Sequence, residues 1–543
     1  MARISAFRPL LLAVALVAGL YIGRSTGPAT DPGPLGLLSP RTPDPATKIA
    51  RVLDLIDRQY VDTVEKNALV DDVLQDILQR LDPHSYYISA EELRAAQEPL
   101  EGSFDGIGVE FSIQRDTVVV VAAIEGGPSE ALGIRPGDRI LRADTMPLAG
   151  VGITNDGVMR SLRGPKDSQV TVDLLRPGRD GTFEVTITRG KIPIHSVAVA
   201  LLDDDGTGYI KVIRFARNTH AEFVEAANDL RDKGMKHLVL DLRGNGGGYL
   251  NAAIDLADEF LPAGRTIVYT QGRNSPRKDI VATRRGGFEE IPLAVLIDET
   301  SASASEIIAG AVQDNDRGTI LGRRSFGKGL VQEHVDLPDA SAVRLTTARY
   351  YTPSGRSIQR PYGNGVDYHG DLEHRYAHSE MLSADSIRID SSQVFHTRSG
   401  RTVYGGGGVM PDIFVPADTT EGSRFFTRLV FSGTLHQFAF DAVDRRRREL
   451  GRYGSPEEFV RRFEVDEALM RELLQRAAEE GVRPDEGDME RSAQAIALRL
   501  KAGMARNLWG NAGFYGTVLG SDSIYARARE ALAAGSPDLA GTR

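Results

Sequence analysis

The sequence of 543 residues contains no cysteine. This absence excludes disulfide-stapled scaffolds, cysteine nucleophiles and metal sites built from thiolates. The chain also lacks a basic excess, since 65 lysines and arginines stand against 75 aspartates and glutamates, giving a formal net charge of -10. A general nucleic-acid-binding protein usually carries positive charge. We therefore expect no nucleic-acid partner.

The apolar run at the N-terminus is too short for a comfortable membrane span. It covers residues 9–22, after Arg3 and Arg8 and before Arg24, whereas a spanning helix needs roughly 20 apolar residues. A basic stretch followed by a short apolar run is typical of an export signal. No clear Ala-x-Ala cleavage site follows, so retention as an N-terminal anchor in the inner membrane is the alternative. On either interpretation, residues 1–24 predict export to a bacterial cell envelope or periplasm.

The composition is that of an ordinary folded protein, with 41% hydrophobic and 26% charged residues. The length exceeds what one hydrophobic core supports, so we predict a multidomain α+β protein. The predicted regions are a flexible linker (25–45), a helical N-terminal region (46–101), a mainly β module (102–190), an α/β core (191–416) with an insertion at about 361–404, and a helical C-terminal region (417–543).

Local sequence patterns support this division. Apolar residues recur at helical spacing in 49–60 and 69–81, and the Asp82-Pro83 step should end the second helix. Strand patterns in the module are separated by turns rich in glycine and proline. From Ile192 onward strands and helices alternate, which is typical of an α/β core. The insertion is polar, and we expect it to be irregular.

Serines at one strand-to-helix junction are candidate nucleophiles. The segment Ser301-Ala-Ser-Ala-Ser-Glu306 precedes an apolar helix, whose free N–H groups could stabilise an oxyanion. The alternative is that these serines only cap the helix. A serine needs a base, and none of the ten histidines lies in a recognisable catalytic setting.

Lysine can act as that base when it is neutral. Lys328 lies between two glycines, and its pKa would have to fall by about 2–3 units from about 10.4. An ordinary loop lysine is the alternative. The glycine-rich loop in Asp241-Leu-Arg-Gly-Asn-Gly-Gly-Gly248 could supply an oxyanion donor, or it could cradle a phosphate.

Together these segments, with Ser325-Phe-Gly-Lys-Gly-Leu-Val-Gln332, resemble the carboxyl-terminal processing proteases, also called tail-specific proteases. The resemblance implies that Ser303 is the nucleophile, Lys328 the general base and Gln332 the residue that orients the lysine. It also implies oxyanion-hole amides at Gly247 and Ala304. Asp314 falls at the acidic position after the nucleophile helix, where we expect structural support.

The resemblance extends over roughly residues 45–416. Further matching segments are Leu81-Asp-Pro-His-Ser85, residues 344–356 and Gly407-Gly-Val-Met-Pro-Asp412. The glycine loop departs from the family pattern at Gly244 and Gly246, where Asn-Pro is usual. Independent motifs in the right order make the resemblance specific.

The β module resembles a PDZ domain. Phe104-Asp-Gly-Ile-Gly-Val-Glu-Phe111 is similar to the carboxylate-binding loop, and Leu132-Gly-Ile-Arg-Pro-Gly-Asp138 to its turn. The resemblance implies that a peptide C-terminus is held by the loop residues Gly106, Ile107, Gly108 and Val109. The alternative is a glycine turn between ordinary strands.

The expected function is therefore that of a serine endopeptidase that cleaves proteins near their C-termini, without metal, nucleotide or organic cofactor. The expected partners are proteins or peptides with free C-termini. Membrane association through the N-terminal run, and a homo-oligomer or adaptor contact through the C-terminal helices, are further expectations.

Three other functions were weighed. A P-loop is suggested by Gly322-x-x-x-x-Gly327-Lys328, but Gly329 stands where Ser or Thr is required, and a strand rather than a helix should follow. A metal site could use His369, His374 and His378, although no His-Glu-x-x-His pattern is present. A PDZ adaptor with a decayed protease domain is opposed by the joint presence of the serine, the lysine and the glutamine.

Overall fold

The computed structural model describes residues 45–124, 126–283, 286–363, 365–420 and 422–535. The predicted signal or anchor at 1–24, with its apolar run 9–22, and the linker up to residue 44 lie outside the described residues. The chain divides into two compact units, Met1–Val73 and Leu74–Arg543.

Two helices follow the predicted linker, α1 (Pro45–Gln59) and α2 (Lys66–Gln79). Pro45, which the prediction put in the linker, is the first residue of α1, a position where the missing proline N–H costs nothing. Within the described part of the chain, no helix is long and apolar enough to cross a bilayer.

The mainly β module forms an antiparallel sheet of its own. Its elements and the segment before it are β1 (Tyr86–Ile88), α3 (Ala90–Glu101), β2 (Ser103–Gly106), β3 (Val109–Gln114), β4 (Thr117–Ala123), α4 (Pro128–Ala131), β5 (Arg139–Ala143), β6 (Met146–Pro147), α5 (Asn155–Leu162), β7 (Gln169–Leu175), β8 (Thr182–Thr188) and β9 (Gly190–Pro193). The sheet order is β3-β4-β5-β7-β8, with β6 on β5, and β2 pairs with β9. All these pairings are antiparallel.

The α/β core and its insertion follow. The elements are β10 (Val197–Leu202), β11 (Thr207–Val212), α6 (Thr219–Asp232), β12 (His237–Asp241), α7 (Leu250–Asp258), β13 (Thr266–Gln271), β14 (Lys278–Val281), β15 (Leu293–Ile297), α8 (Ala304–Asp314), β16 (Thr319–Gly322), β17 (Leu330–Asp336), β18 (Ala342–Tyr351), α9 (Asp371–Ala377), β19 (Val394–His396), β20 (Thr402–Tyr404) and β21 (Ile413–Phe414). A six-stranded sheet runs β10-β11-β12-β15-β16-β21, parallel except at β10. A five-stranded sheet joins β1, β18, β13 and β14, with β17 on β18.

The sequence predicts an irregular insertion, but the structure shows regular elements within it. It contains α9, a 3₁₀ turn at Ala384–Ser386 and the β19–β20 hairpin. Arg375 and Glu380 within it are buried. The prediction was wrong because a polar composition does not exclude regular structure. Buried polar side chains here form hydrogen bonds with distant segments, which local sequence does not reveal.

The C-terminal region is helical, as predicted, with α10 (Arg424–Phe431), α11 (Thr434–Leu450), α12 (Pro456–Arg462), α13 (Glu467–Glu479), α14 (Asp488–Val518) and α15 (Ser523–Ala533). Most of these helices pack around one apolar cluster of their own. The last helix does not. Tyr525 and Ala528 of α15 pack on Val239 and Leu296 of the core sheet, while the alternate residue Leu240 faces the helices α6, α7 and α8. Since successive strand residues point to opposite faces, α15 covers the second face of the core sheet.

Candidate active site

The three segments singled out in the sequence follow three neighbouring strands. The glycine loop follows β12, the serine segment follows β15 and the lysine loop follows β16. These strands are adjacent and parallel in the sheet. The carboxyl ends of parallel strands lie at one edge, where α/β proteins form their sites. The fold therefore brings the three segments together.

Ser303 lies at a sharp turn before α8. Its backbone adopts φ 55° and ψ -110°, and Ala304 is the first residue of the helix. A positive φ is strained for a residue with a side chain, and such strain concentrates at functional sites. The turn is held from both sides by the Asn245 carbonyl oxygen, which accepts hydrogen bonds from Ala302 N (3.0 Å) and Ser305 Oγ (2.8 Å). The side chain of Ser303 is partly exposed.

The glycine loop approaches Ser303 so closely that a side chain would not fit. A Cβ at Gly247 would lie 2.9 Å from the Ser303 Cβ and 3.1 Å from the Ala304 N, and the residue has φ +104°. Ala304 N begins a helix and has no intrahelical acceptor. The Gly247 amide, however, donates to Asn245 Oδ1 at 2.9 Å. To serve as an oxyanion donor it must turn away from Asn245.

The unusual glycine at position 244 is anchored. Gly244 has φ +72°, and its N–H donates to both carboxylate oxygens of Asp298 at 3.1 Å. Asp298 also accepts from Ser301 N at 3.0 Å. The departure from the family pattern at Gly244 is thus tied to the start of the serine segment.

Lys328 is partly buried in the loop that precedes β17. Burial is the main cause that lowers the pKa of the Lys328 amine, and the positive charge of Arg344 lowers it further. The negative charges of Glu306 and Asp82 oppose that shift. His84, from the matching segment before the PDZ domain, lies nearby. Burial and the charge of Lys328 lower the pKa of His84 to about 4. A lysine with a lowered pKa can act as a base when neutral.

Glu306 links the serine turn to the lysine loop, a role that the sequence interpretation missed. Its buried carboxylate accepts hydrogen bonds from Ser303 N (2.8 Å), Lys328 N (2.9 Å), Gly327 N (2.7 Å) and Ser325 Oγ (2.5 Å). Burial raises the pKa of Glu306 to about 7, and these hydrogen bonds offset part of the rise. The Ser-x-x-Glu spacing of a capping box was the available signal.

Tyr350 makes a second link between the same two segments. Its hydroxyl lies within hydrogen-bond distance of the Ser303 carbonyl oxygen (3.1 Å) and of the Lys328 carbonyl oxygen. Nothing in the local sequence distinguished this tyrosine from its neighbours on β18. Its role depends on the pairing of β18 with β17, which begins two residues after Lys328.

Gln332 and Asp314 occupy different surroundings. Gln332 is on β17, and its buried Nε2 finds no hydrogen-bond acceptor among the described residues. Asp314 ends α8, away from Ser303, and accepts from Arg356 Nη2 at 2.8 Å and from Ser354 N at 3.1 Å. This is a structural contact rather than one that reaches the reacting atoms.

The proposed carboxylate-binding loop connects β2 to β3. The Ile107 carbonyl oxygen accepts from Ser129 N (3.1 Å) and Ser129 Oγ (2.6 Å), and Gly108 has φ +77°. Val109 starts β3, which is the edge strand of its sheet. An edge strand leaves one side open for a peptide to pair with.

Comparison with known proteins decides the family. The chain is 37% identical over 320 residues to a carboxy-terminal-processing protease of Bartonella bacilliformis, covering 58% of this chain and 73% of that protein. The chain belongs to the carboxyl-terminal processing protease family. A carboxyl-terminal-processing protease of a Synechocystis species is 35% identical over 294 residues, with 53% of this chain and 68% of that protein covered.

Models of three protein families match three separate parts of the chain. The model for peptidase family S41 matches residues 206–370 and the PDZ domain model matches residues 106–187. A model described as a family of unknown function matches residues 425–510. Among solved structures, the photosystem II D1 C-terminal processing protease aligns with a TM-score of 0.35 and 31% identity, over 58% of this chain and 84% of that one. By these two family models, the chain described here is a peptidase that carries a PDZ domain.

The structure also shows the surroundings of the candidate P-loop and of the candidate metal-binding histidines. Gly329 is followed by the strand β17, whereas a P-loop opens a helix. His374 and His378 line a cavity of about 500 Å³ beside the insertion. The His378 Nδ1 lies 2.7 Å from the His374 carbonyl oxygen, which is a local contact along α9.

Proposed function

We propose that this chain is a serine endopeptidase that uses a Ser303–Lys328 dyad to cleave proteins near their C-termini. The observation that carries the proposal is the carboxylate of Glu306. One of its oxygens, Oε2, accepts hydrogen bonds from both Ser303 N and Lys328 N. A single buried atom thus fixes the backbone of the nucleophile and of the base relative to each other, which is the preorganisation that catalysis requires.

In the proposed mechanism, neutral Lys328 accepts the Ser303 hydroxyl proton as Oγ attacks the peptide carbonyl carbon. The Ala304 amide stabilises the oxyanion, and the Gly247 amide joins it after leaving Asn245. The protonated Lys328 then gives its proton to the leaving amine, and water hydrolyses the acyl-enzyme. Burial supports the role of Lys328 because it lowers the pKa of the amine.

The test of the dyad is cleavage of an unfolded protein by the full chain, by Ser303→Ala and by Lys328→Ala. Both variants should lose at least about a thousandfold in rate, since removing one member of a catalytic unit removes most of its effect. Lys278→Ala, on the exposed strand β14, serves as the matched lysine control and should cleave at the wild-type rate. Equal cleavage by all four proteins would reject the dyad.

We further propose that the PDZ domain selects the substrate through its free C-terminal carboxylate. The edge of β3 that pairs with no other described strand, and the loop that contains Gly108, support this assignment. A substrate and its C-terminally amidated form should differ in binding to the Ser303→Ala chain, with the free acid bound at least tenfold more tightly. Equal affinity for the two forms would remove tail recognition from the proposal and leave the dyad untouched.

The proposed location is the bacterial cell envelope, reached through residues 1–24. The basic residues before the apolar run support export. Fractionation of cells that express the full chain should recover it with the envelope or the periplasm. A protein found only in the cytoplasmic fraction would contradict the proposal, and salt-resistant membrane association would favour anchoring over cleavage of the segment.

A further inference from the structure

Helix α9 of the insertion reaches the lysine loop through one buried side chain. Arg375 donates from Nη2 to the Arg324 carbonyl oxygen at 2.6 Å and from Nη1 to the Ser325 carbonyl oxygen at 3.2 Å. The Arg375 residue is only 5% exposed. A guanidinium presents its donors in a fixed plane, so one arginine can fix two successive carbonyl groups.

A carboxylate holds this guanidinium in place. Glu380 Oε1 accepts from Arg375 Nε at 2.7 Å and from Arg324 Nε at 2.8 Å, and Glu380 Oε2 accepts from Arg324 Nη2 at 2.8 Å. Glu380 is itself buried. Two arginines and one glutamate therefore form a closed unit between the insertion and the loop, in which both guanidinium groups share one buried carboxylate.

The backbone that Arg375 holds leads directly to the base. Ser325 Oγ donates to Glu306 Oε1 at 2.5 Å, and Gly327 N and Lys328 N donate to the same carboxylate. Any shift of the peptide groups at 324 and 325 is therefore transmitted to the position of Lys328. Packed interiors pass on such shifts because they contain few voids.

A second contact to the same loop comes from Arg360, the residue just before the insertion. The Arg360 guanidinium lies 3.9 Å from the centroid of the Phe326 ring and 3.9 Å from the centroid of the Tyr368 ring. The Arg360 amide also donates to the Gly327 carbonyl oxygen at 3.0 Å. The two rings are nearly perpendicular, with centroids 6.3 Å apart, and together they form an aromatic corner for the guanidinium. The loop is thus held by Arg375 of the insertion at residues 324 and 325 and by Arg360, just before the insertion, at residues 326 and 327.

From this arrangement we propose that Arg375 is a positioning residue that keeps Lys328 in a buried, water-poor setting. The inference rests on the proposed role of Lys328 as the base. It assigns the 361–404 insertion a part in catalysis without contact to the substrate. The groups that face Lys328 are Arg344, Glu306, Asp82 and His84. None of these four residues is itself substituted in a variant at Arg375.

The test is Arg375→Lys in the full chain. A lysine keeps the charge that Glu380 needs, but its ammonium cannot bridge both carbonyl groups and the carboxylate. The loop should loosen, water should reach the Lys328 amine, and its pKa should rise. The pH dependence of Lys328 acetylation, followed by peptide mass spectrometry, measures that pKa without any substrate.

Arg401→Lys is the matched control, since it lies in the same insertion. Arg401 also bonds two carboxylates and one carbonyl, at Asp316 (2.8 Å), Asp412 (2.6 Å) and the Gln313 carbonyl oxygen (3.1 Å). Its loss should lower stability in a similar way without touching the lysine loop. Thermal unfolding of both variants shows that each is folded.

The expected midpoint of Lys328 acetylation is about one pH unit higher in Arg375→Lys and unchanged in Arg401→Lys. In Arg375→Lys, kcat at neutral pH should be about tenfold lower and KM unchanged, since one pKa unit is a factor of ten in the neutral fraction of the lysine. An unchanged midpoint in Arg375→Lys, or an equal shift in both variants, overturns the inference. If Arg375→Lys does not fold, Glu380→Gln releases the same guanidinium and the same criteria apply to it. Absence of Ser303-dependent cleavage in the wild type would reject the dyad, whereas the midpoint still decides the role of Arg375.

Discussion

The two ends of helix α8 each bury a carboxylate, and the two are treated in opposite ways. At the start of the helix, Glu306 accepts three backbone N–H groups and one hydroxyl. At its end, Asp314 forms an ion pair with Arg356 at 2.8 Å, and both side chains are fully buried. The same helix thus carries one carboxylate held by neutral donors and one neutralised by a guanidinium.

The difference follows from what each end has to do. An ion pair neutralises both charges and locks two elements together, which suits a structural joint. Neutral donors leave the charge of Glu306 uncompensated, and burial raises its pKa to about 7. In return, the four donors come from the serine turn and the lysine loop, so their geometry is fixed together. The active end gives up stability for the placement of reactive groups.

The largest expected effect is on stability at the structural end. Asp314→Asn leaves Arg356 buried without its carboxylate, which typically costs about 3–5 kcal/mol. The midpoint of urea unfolding of the protease core should fall accordingly, while activity per folded molecule changes little. Asp279→Asn, in an exposed pair with Arg277, is the control and should leave the midpoint unchanged. A large loss of kcat in folded Asp314→Asn would erase the distinction between the two ends.

At the active end, Glu306→Gln should lower kcat by about a hundredfold, because misplacing reactive groups by an ångström has effects of that size. The amide nitrogen cannot accept hydrogen bonds, so two of the four donors lose their acceptor. Glu222→Gln is the control, as Glu222 accepts from Ser196 N (2.7 Å) and Val197 N (2.9 Å) away from the site. Steady-state kinetics of the folded fraction measures the effect. A kcat within threefold of wild type would show that Glu306 is a structural residue like Asp314.

A stability gain should follow from replacing Lys328, because burial disfavours its charged form. Lys328→Met should abolish cleavage and raise stability at neutral pH by about 1 kcal/mol, as expected where a site is built at the expense of stability. Folding lowers the pKa of Lys328, so the unfolded chain binds more protons between the two pKa values. Wild-type stability therefore rises with pH in that window, and the gain should shrink towards pH 10. Unfolding at several pH values checks this, with Lys278→Met as the exposed control; a loss of stability would contradict it.

The smallest effect is expected just beyond the structural end. Asp316 accepts from Arg401 Nε at 2.8 Å. Burial alone would raise the pKa of Asp316, but the bonds from Arg401 and Ser399 lower it. Asp316→Asn should cost about 0.5 kcal/mol at pH 7, because solvent screens this pair. Since the folded pKa is lowered, this contribution exists above the ordinary carboxyl value and is lost as pH falls through the folded value. A loss of stability as large as that of Asp314→Asn would mean that the extent of burial does not determine how much each ion pair stabilises the fold.

Most elements could be predicted from the sequence because their signals are local. The apolar spacing of residues 49–60 and of residues 69–81 became α1 and α2. The insertion could not be predicted in this way, since Arg375 is satisfied by carbonyl groups 50 and 51 residues away. Nor did composition reveal that α15 covers the core sheet, because an apolar helix face does not specify which surface it packs on. Contacts of this kind depend on where distant segments lie.

The sequence by itself determined the family and predicted the reactive groups, because Ser303, Lys328 and the glycine loop occur in specific motifs in a specific order. Only the tertiary structure decided that β12, β15 and β16 are neighbours, that Glu306 joins the serine turn to the lysine loop, and that the Gly247 amide is bound to Asn245. The physical reason is that a motif encodes chemistry and local conformation, whereas strand order and buried hydrogen bonds arise from packing across the whole chain.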